Sequence, residues 1–252
     1  MNRAAASVLT AASLLAASPG RLFAQSDDPW AASRFRFLVN GAFEPASLDY
    51  SEQRKFTEFV EESRIDAQYK DKAGPGFDLG LQFNFNRRVG VSASYSLVSR
   101  KGTGTYAADL PHPLYFNQFR KVSGNLSGLE YRENAGHLDL VGNLGSGKLG
   151  LAVFAGATLF SVQADLVDTI QYTHTYPYDA VTITGVPTKK VKDSPVGFNA
   201  GVRFDYKLGK TFGLGAQVRF SRATVKLVPT QGNSLDFEAG GLQAGAGLRV
   251  AF

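Results

Sequence analysis

The chain has 252 residues, 44% of them hydrophobic and 19% charged, with 27 Gly and no Cys. That hydrophobic content excludes wholesale disorder, and the glycine content exceeds the usual share of roughly 7%, favouring turns and close-packed strands. Without Cys there is no disulfide scaffold, no thiolate metal site, no thiol catalysis and no lipidated cysteine. Three His leave little material for a metal site, so neither a metal nor a cofactor is expected.

Residues 1–24 read as a secretory signal peptide: Arg3 supplies the positive start, Ala4 to Ala17 is apolar, Ser18-Pro19-Gly20 breaks the helix, and Ala24 is a small residue for cleavage. Removing Arg3 and Arg21 leaves 25 basic against 22 acidic residues, a mature charge of +3. The formal +5 therefore overstates the basic character, and no nucleic-acid partner is expected. A short segment, 25–32, then leads into the body of the protein, 33–252. No apolar run long enough for a membrane-spanning helix remains there.

From Arg34 onward the pattern has period two. Phe35, Phe37, Val39 and Phe43 form the first apolar row. Phe77 to Phe85 and Val91 to Leu97 form the second and third, their intervening positions held by Asp78, Gln82, Asn84 and three Ser. A weaker segment follows over about 128–142, with Leu138 and Leu140 on its apolar face and His137 and Asp139 on the other. Leu149 to Leu159, Val196 to Tyr206, Phe212 to Phe220 and Leu242 to Phe252 complete the set. Short links fall near 86–88, 145–147 and 208–210. Long ones fall at 44–75, 100–127 and 163–195, with a shorter one at 229–234. Short turns on one side and long loops on the other describe an eight-stranded antiparallel up-and-down barrel. The alternating stretch 56–69 is read as an extended part of the first long loop; ten strands would require it to hold two.

The polar rows decide which face meets lipid. They hold Gly, Ser, Asn, Gln, Arg and Asp, whereas a water-facing surface is expected to carry Lys and Glu. The opposite rows are uncharged for about ten residues per strand, the length that crosses an outer membrane. Arg34, Arg36, Arg203, Arg219 and Arg249 then project into a lumen with Asp78, Asp139 and Asp205, where they must pair as a plug.

A signal peptide, eight alternating segments and the ending Leu248-Arg249-Val250-Ala251-Phe252 resemble small outer-membrane β-barrels of the OmpA/OmpX type. The resemblance covers about 33–252. It implies an outer-membrane location in a Gram-negative-type bacterium, surrounding lipid and lipopolysaccharide, and recognition of the terminal Phe by the barrel-assembly machinery. It also implies a monomer with long extracellular loops and short periplasmic turns. The superfamily holds adhesins, resistance proteins, enzymes and tethers, so the resemblance leaves activity open. The chain stops at the last strand, and no peptidoglycan-anchoring role is expected.

Catalysis is not expected. His137 and Asp139 lie two apart on one face, a spacing available to a base and its orienting carboxylate, with Ser92, Thr158 or Ser221 as nucleophile. One class of lipid A-modifying barrels uses His-x-Ser, but here the tripeptide reads His137-Leu138-Asp139. Gly142 to Lys148 fits the opening of a phosphate-binding loop, yet Leu149 replaces its Ser or Thr and the segment joins two strands. The sequence thus points to a structural or surface-binding role through the long loops, with candidate binding residues Tyr115, Phe116, Phe119, Arg120, Tyr176 and Tyr178. A lipid A-modifying enzyme and a narrow pore are the alternatives.

Overall fold

The computed structural model describes residues 30, 33–45, 47–145, 147–227 and 235–252; the proposed signal peptide and the 229–234 link lie outside them. Thirteen strands follow in chain order: β1 (Phe35–Glu44), β2 (Leu48–Glu58), β3 (Glu61–Asp71), β4 (Gly74–Asn84), β5 (Val89–Pro111), β6 (Phe119–Asn143), β7 (Leu149–Val167), β8 (Gln171–His174), β9 (Val181–Gly185), β10 (Thr188–Asp193), β11 (Val196–Lys207), β12 (Phe212–Leu227) and β13 (Leu235–Ala251). All pairings are antiparallel. They run β1–β4–β5–β6–β7–β11–β12–β13 and return to β1.

The expectation of an eight-stranded barrel with irregular loops is overturned. β2, β3 and β10 join the ring from the side, so eleven strands make one sheet, and β8 and β9 form a separate two-stranded sheet. The ring is imperfect because partners change along it: β5 pairs with β4 through Gly90–Val98 and with β3 through Gly102–Asp109. The stretch 56–69 is a hairpin arm in the wall, and the 100–127 link is the continuation of β5 and β6. The physical reason is that these segments also alternate, but with the charged row outward, so they form strands in water instead of coil.

That reversal organises the molecule. Along the lower part of β5, Val91, Ala93, Tyr95 and Leu97 face out while Ser92, Ser94 and Ser96 face in. Above Leu97 the outward row becomes Ser99, Lys101, Thr103 and Thr105, and the inward row Tyr106, Ala108 and Leu110. β12 switches at the same level, from Phe220 to Arg222 outside and from Ser221 to Ala223 inside. The lower part is thus apolar outside and polar inside, as lipid requires: Leu138 is 65% exposed and Leu248 57%, whereas Asn40 and Arg249 are fully buried. The upper part is built for water, and its core holds Tyr50, Ile65, Tyr69, Tyr131, Val162, Val225 and Phe237. Tyr50 stacks between Tyr69 and Phe237, with ring centroids 4.9 and 5.1 Å apart.

Aromatics ring the lower margin of the belt. Phe35 packs on Phe83 at 5.1 Å, Phe37 on Phe252 at 5.6 Å and Phe83 on Phe85 at 5.4 Å. Beneath them Trp30 closes that end of the barrel, its indole Nε1 donating to the Gly209 carbonyl at 2.9 Å. The ring closes where β1 meets β13, and there Gly247 approaches so near that a Cβ would lie 1.8 Å from the Val39 carbonyl oxygen.

Candidate functional site

The lumen brings together all but one of the expected charges. Arg219 donates to Asp78 at 2.7 Å, and Asn40 and Gln217 donate to the same carboxylate at 2.8 and 3.0 Å. Arg249 donates to Asp205 at 2.9 Å and to Asn40 at 2.6 Å, linking the two clusters. Arg203 lies 3.5 Å from Asp205 and donates to Gln82. Arg36 reaches the Trp30 carbonyl at 2.8 Å and Asn143 at 3.3 Å. Arg34 is the exception: it is exposed, below the first strand. Asp139 meets no arginine and instead accepts from Asn199 at 2.8 Å and Ser92 at 3.4 Å. Cavities left between these side chains measure only about 20 and 10 Å³.

His137 and Asp139 share the lumen but do not pair. The ring nitrogens of His137 lie 2.9 Å from Ser96 Oγ and 2.9 Å from Thr158 Oγ1, so both are occupied by hydroxyls. Among the described residues no group of three His, Asp or Glu is arranged to hold a metal ion.

At the level where polarity reverses, acids gather inside the wall. Arg100 pairs with Glu44 and lies 5.6 Å over the Tyr131 ring, while Tyr131 donates to Glu133 at 2.8 Å. Burial pushes Asp71 up to about 6, against the pull of Arg100. Burial and the neighbouring Glu44 raise Glu133, and burial raises Glu52 even though Tyr69 donates to it. The hydroxyls of Tyr50 and Tyr69 are raised by the same burial and stay protonated.

The outer end is where the loop residues converge. The β5–β6 turn carries Tyr115 and Phe116, 55% and 74% exposed, and Phe119 opens β6 facing out. Tyr176 and Tyr178 lie between β8 and β9, their rings 5.8 Å apart, with Tyr176 77% exposed. Arg120 is buried: its guanidinium sits 5.7 Å over Tyr172 and donates to the Pro111 and Tyr178 carbonyls. It ties the two loops together. His112 approaches Asp179 at 3.6 Å on the same seam.

A third tip, unforeseen from the sequence, completes the group. The β2–β3 turn presents Phe59 and Val60, the latter 91% exposed. Glu61 beside it accepts from the Asn117 backbone at 2.7 Å, and Tyr172 donates to Glu58 at 2.6 Å. Every non-glycine residue with positive φ among those described lies on these tips: Phe59, Val60, Asn117 and Tyr178. For bulky side chains that conformation costs of order 1–3 kcal/mol. The available signal was an apolar pair, Phe59-Val60, bracketed by Glu58 and Glu61-Glu62 within an alternating stretch.

The sequence of residues 4–249 matches the family model described as "Outer membrane protein beta-barrel domain". The chain belongs to this family. Its place is therefore the outer membrane of a Gram-negative-type bacterium, where proteins of this class associate with lipid and lipopolysaccharide and are assembled by the barrel-assembly machinery. Similar solved structures include the outer membrane protein OprG from Pseudomonas aeruginosa, 10% identical, covering 87% of this chain and 96% of that one with a TM-score of 0.48. Neisserial surface protein A is 11% identical, covering 86% and 97% with a TM-score of 0.43. The outer membrane protease OmpT from Escherichia coli is 13% identical, covering 93% and 100% with a TM-score of 0.45. No curated protein matches the chain. This family member carries buried Arg–Asp bridges across its lumen and a wall that continues well beyond the lipid belt.

Proposed function

We propose that the protein is a non-catalytic outer-membrane anchor that binds a partner at the cell surface through its three converging tips. The carrying observation is the group Phe59, Val60, Tyr115, Phe116 and Tyr176, exposed on strained turns and cross-tied by Arg120, Glu58 and Glu61. Exposed aromatics held rigidly lose little entropy on contact, which suits a binding surface better than a solvated loop. The filled lumen favours an anchor over a pore, and the hydroxyl partners of His137 favour a structural histidine over a lipid A-modifying centre. Lipid and lipopolysaccharide surround the belt, the assembly machinery inserts the chain, and it acts as a monomer without nucleic acid.

The test is a photocrosslinking phenylalanine analogue placed at position 116 on living cells, with a control at Thr224, which faces outward on β12 away from the tips. A discrete adduct at 116 and none at 224 is the expected result. Equal labelling at both positions, or none at either, overturns the assignment.

A further inference from the structure

The outer wall above the lipid belt carries a second feature, unrelated to the tips. A hollow of about 790 Å³ is pressed into the outward face of β2, β3, β5 and β6. The cross-strand register lines up its floor in two rungs. Ser51, Gln68, Thr105 and Asn125 form one, in direct succession across the four strands. Asp49, Lys70, Thr103 and Ser127 form the next. The face is bent by a bulge: Gly102 opposes Leu129 and Thr103 opposes Ser127, which leaves Gly128 as the extra residue at φ +75°.

The chemistry of these eight side chains is selective. Four hydroxyls and two amides offer donors and acceptors in nearly equal supply, with a single carboxylate facing a single ammonium across β2 and β3. All eight are exposed, and none hydrogen-bonds another described side chain. A water-facing sheet ordinarily carries Lys, Arg and Glu. The other side of the same wall does so, with Arg222 paired to Glu238 beside Lys226 and Asp236. One cation cannot hold a phosphate cluster, and the absence of large apolar side chains from both rungs does not suit a protein hot spot. Rungs of mixed donors and acceptors, with strands about 4.8 Å apart, do suit the hydroxyls of an extended glycan.

We infer that this hollow is a saccharide-binding site, filled by a short linear oligosaccharide lying across the four strands. Thr103 lies six residues beyond Leu97, the last large apolar outward residue of β5, or about 20 Å along the strand. The site therefore stands among the sugars of the outer leaflet, and the glycan can come from a neighbouring lipid-linked saccharide or from free saccharide in the medium.

The two sources are separated with the full-length protein in nanodiscs and two probes, read by saturation-transfer NMR. The probes are core oligosaccharide released from lipopolysaccharide by mild acid, and maltohexaose. Saturation of the first alone assigns the site to leaflet glycan, and of the second alone to free neutral glycan; either supports a saccharide site. The Gln68→Ala/Asn125→Ala variant loses two hydrogen-bonding side chains and is expected to weaken binding about tenfold, about 0.7 kcal/mol for each. Its folding is checked by the difference in gel mobility between unboiled and boiled samples. Thr105→Lys is the second variant and is expected to remove binding without disturbing that shift. No saturation with either probe, or equal saturation in wild type and both folded variants, overturns the inference.

Discussion

The sharpest test of the filled lumen is Asp78→Ala. In the native barrel this carboxylate accepts from Arg219 at 2.7 Å, Asn40 at 2.8 Å and Gln217 at 3.0 Å, and it is itself buried. Truncation leaves a guanidinium without its counter-charge in a space whose nearest cavity holds about 10 Å³. Breaking a buried pair from one side costs about 3–5 kcal/mol, and orphaned amide donors add about 1 kcal/mol or more each. The neighbours can share the loss, so about 4 kcal/mol is the working figure for the single change. Arg219→Leu together with Asp78→Ala removes both charges, and this double variant is expected to regain most of the loss.

The assay is a urea titration of the protein folded in phospholipid vesicles, followed by gel mobility and by fluorescence. Trp30, the only tryptophan, is packed under the barrel and reports the same transition. An Asp78→Ala protein unfolding within about 1 kcal/mol of wild type would show that water solvates Arg219, because a screened exposed pair is worth no more. The lumen would then be wet, and a narrow pore would no longer be disfavoured.

Four further outcomes are expected. Leu138→Arg places a charge on the lipid face and is expected to cost about 2–4 kcal/mol in vesicles, whereas the same change at Thr224 above the belt is expected to cost almost nothing. Gly247→Ala forces a Cβ into the Val39 carbonyl at the closing seam; a loss of about 1–3 kcal/mol or failure to give the folded gel band is expected, and wild-type stability would refute the close approach. Asp71 has its folded pKa raised to about 6 from an ordinary 3.8. The fold thus loses stability as pH rises between those values, and Asp71→Asn should gain about 1–3 kcal/mol at pH 8 but almost nothing at pH 3.5; an equal gain at both refutes the titration. Arg120→Ala is expected to leave the belt unchanged and to speed proteolysis near Tyr176 at least several-fold, as the tie between the two tips is lost.

The belt was legible because a bilayer imposes one rule on every strand. Leu138, Leu248 and Phe204 must be apolar and Arg249 and Asp78 must not be, so period two with an uncharged row identifies both faces. Arginine and aspartate in the inward rows were readable as buried ion-pair partners for the same reason, although who meets whom was not: pairing of Arg249 with Asp205 depends on register across β11, β12 and β13. Above the belt the rule reverses, and strands there resemble ordinary amphipathic β-segments with charged outer rows. Lys55 and Lys101 stand mid-strand there with their side chains facing water. At the outer end, Tyr115, Phe116 and Tyr176 could be named as candidates from composition alone. That Arg120 is buried beneath them, and that Phe59 and Val60 join them, depends on three turns spread over more than a hundred residues coming together.

The two halves of the wall are stabilised by different means, and each limits the other. Lipid tails provide no hydrophobic drive for closing the lower ring, so its cohesion rests on backbone ladders and on the Arg–Asp lattice inside. The upper wall stands in water and buries Ile65, Leu110, Val162, Leu166 and Val225, each contributing about 1.5–3 kcal/mol relative to exposure. Because β5, β7, β12 and β13 run through both halves, and β6 does so with one bulge at Gly128, a one-residue slip in the belt part of any of them would turn lumen residues such as Ser96, Asp139, Thr158, Arg219 or Arg249 toward lipid. Carried upward, it would turn core residues such as Leu110, Tyr131, Val162, Val225 or Phe237 toward water. Each solvent therefore enforces the register that the other needs. The extra strands β2, β3 and β10 are confined to the upper wall, where a side-joined strand has water to satisfy its free edge; inside the bilayer the same edge would be too costly to leave open.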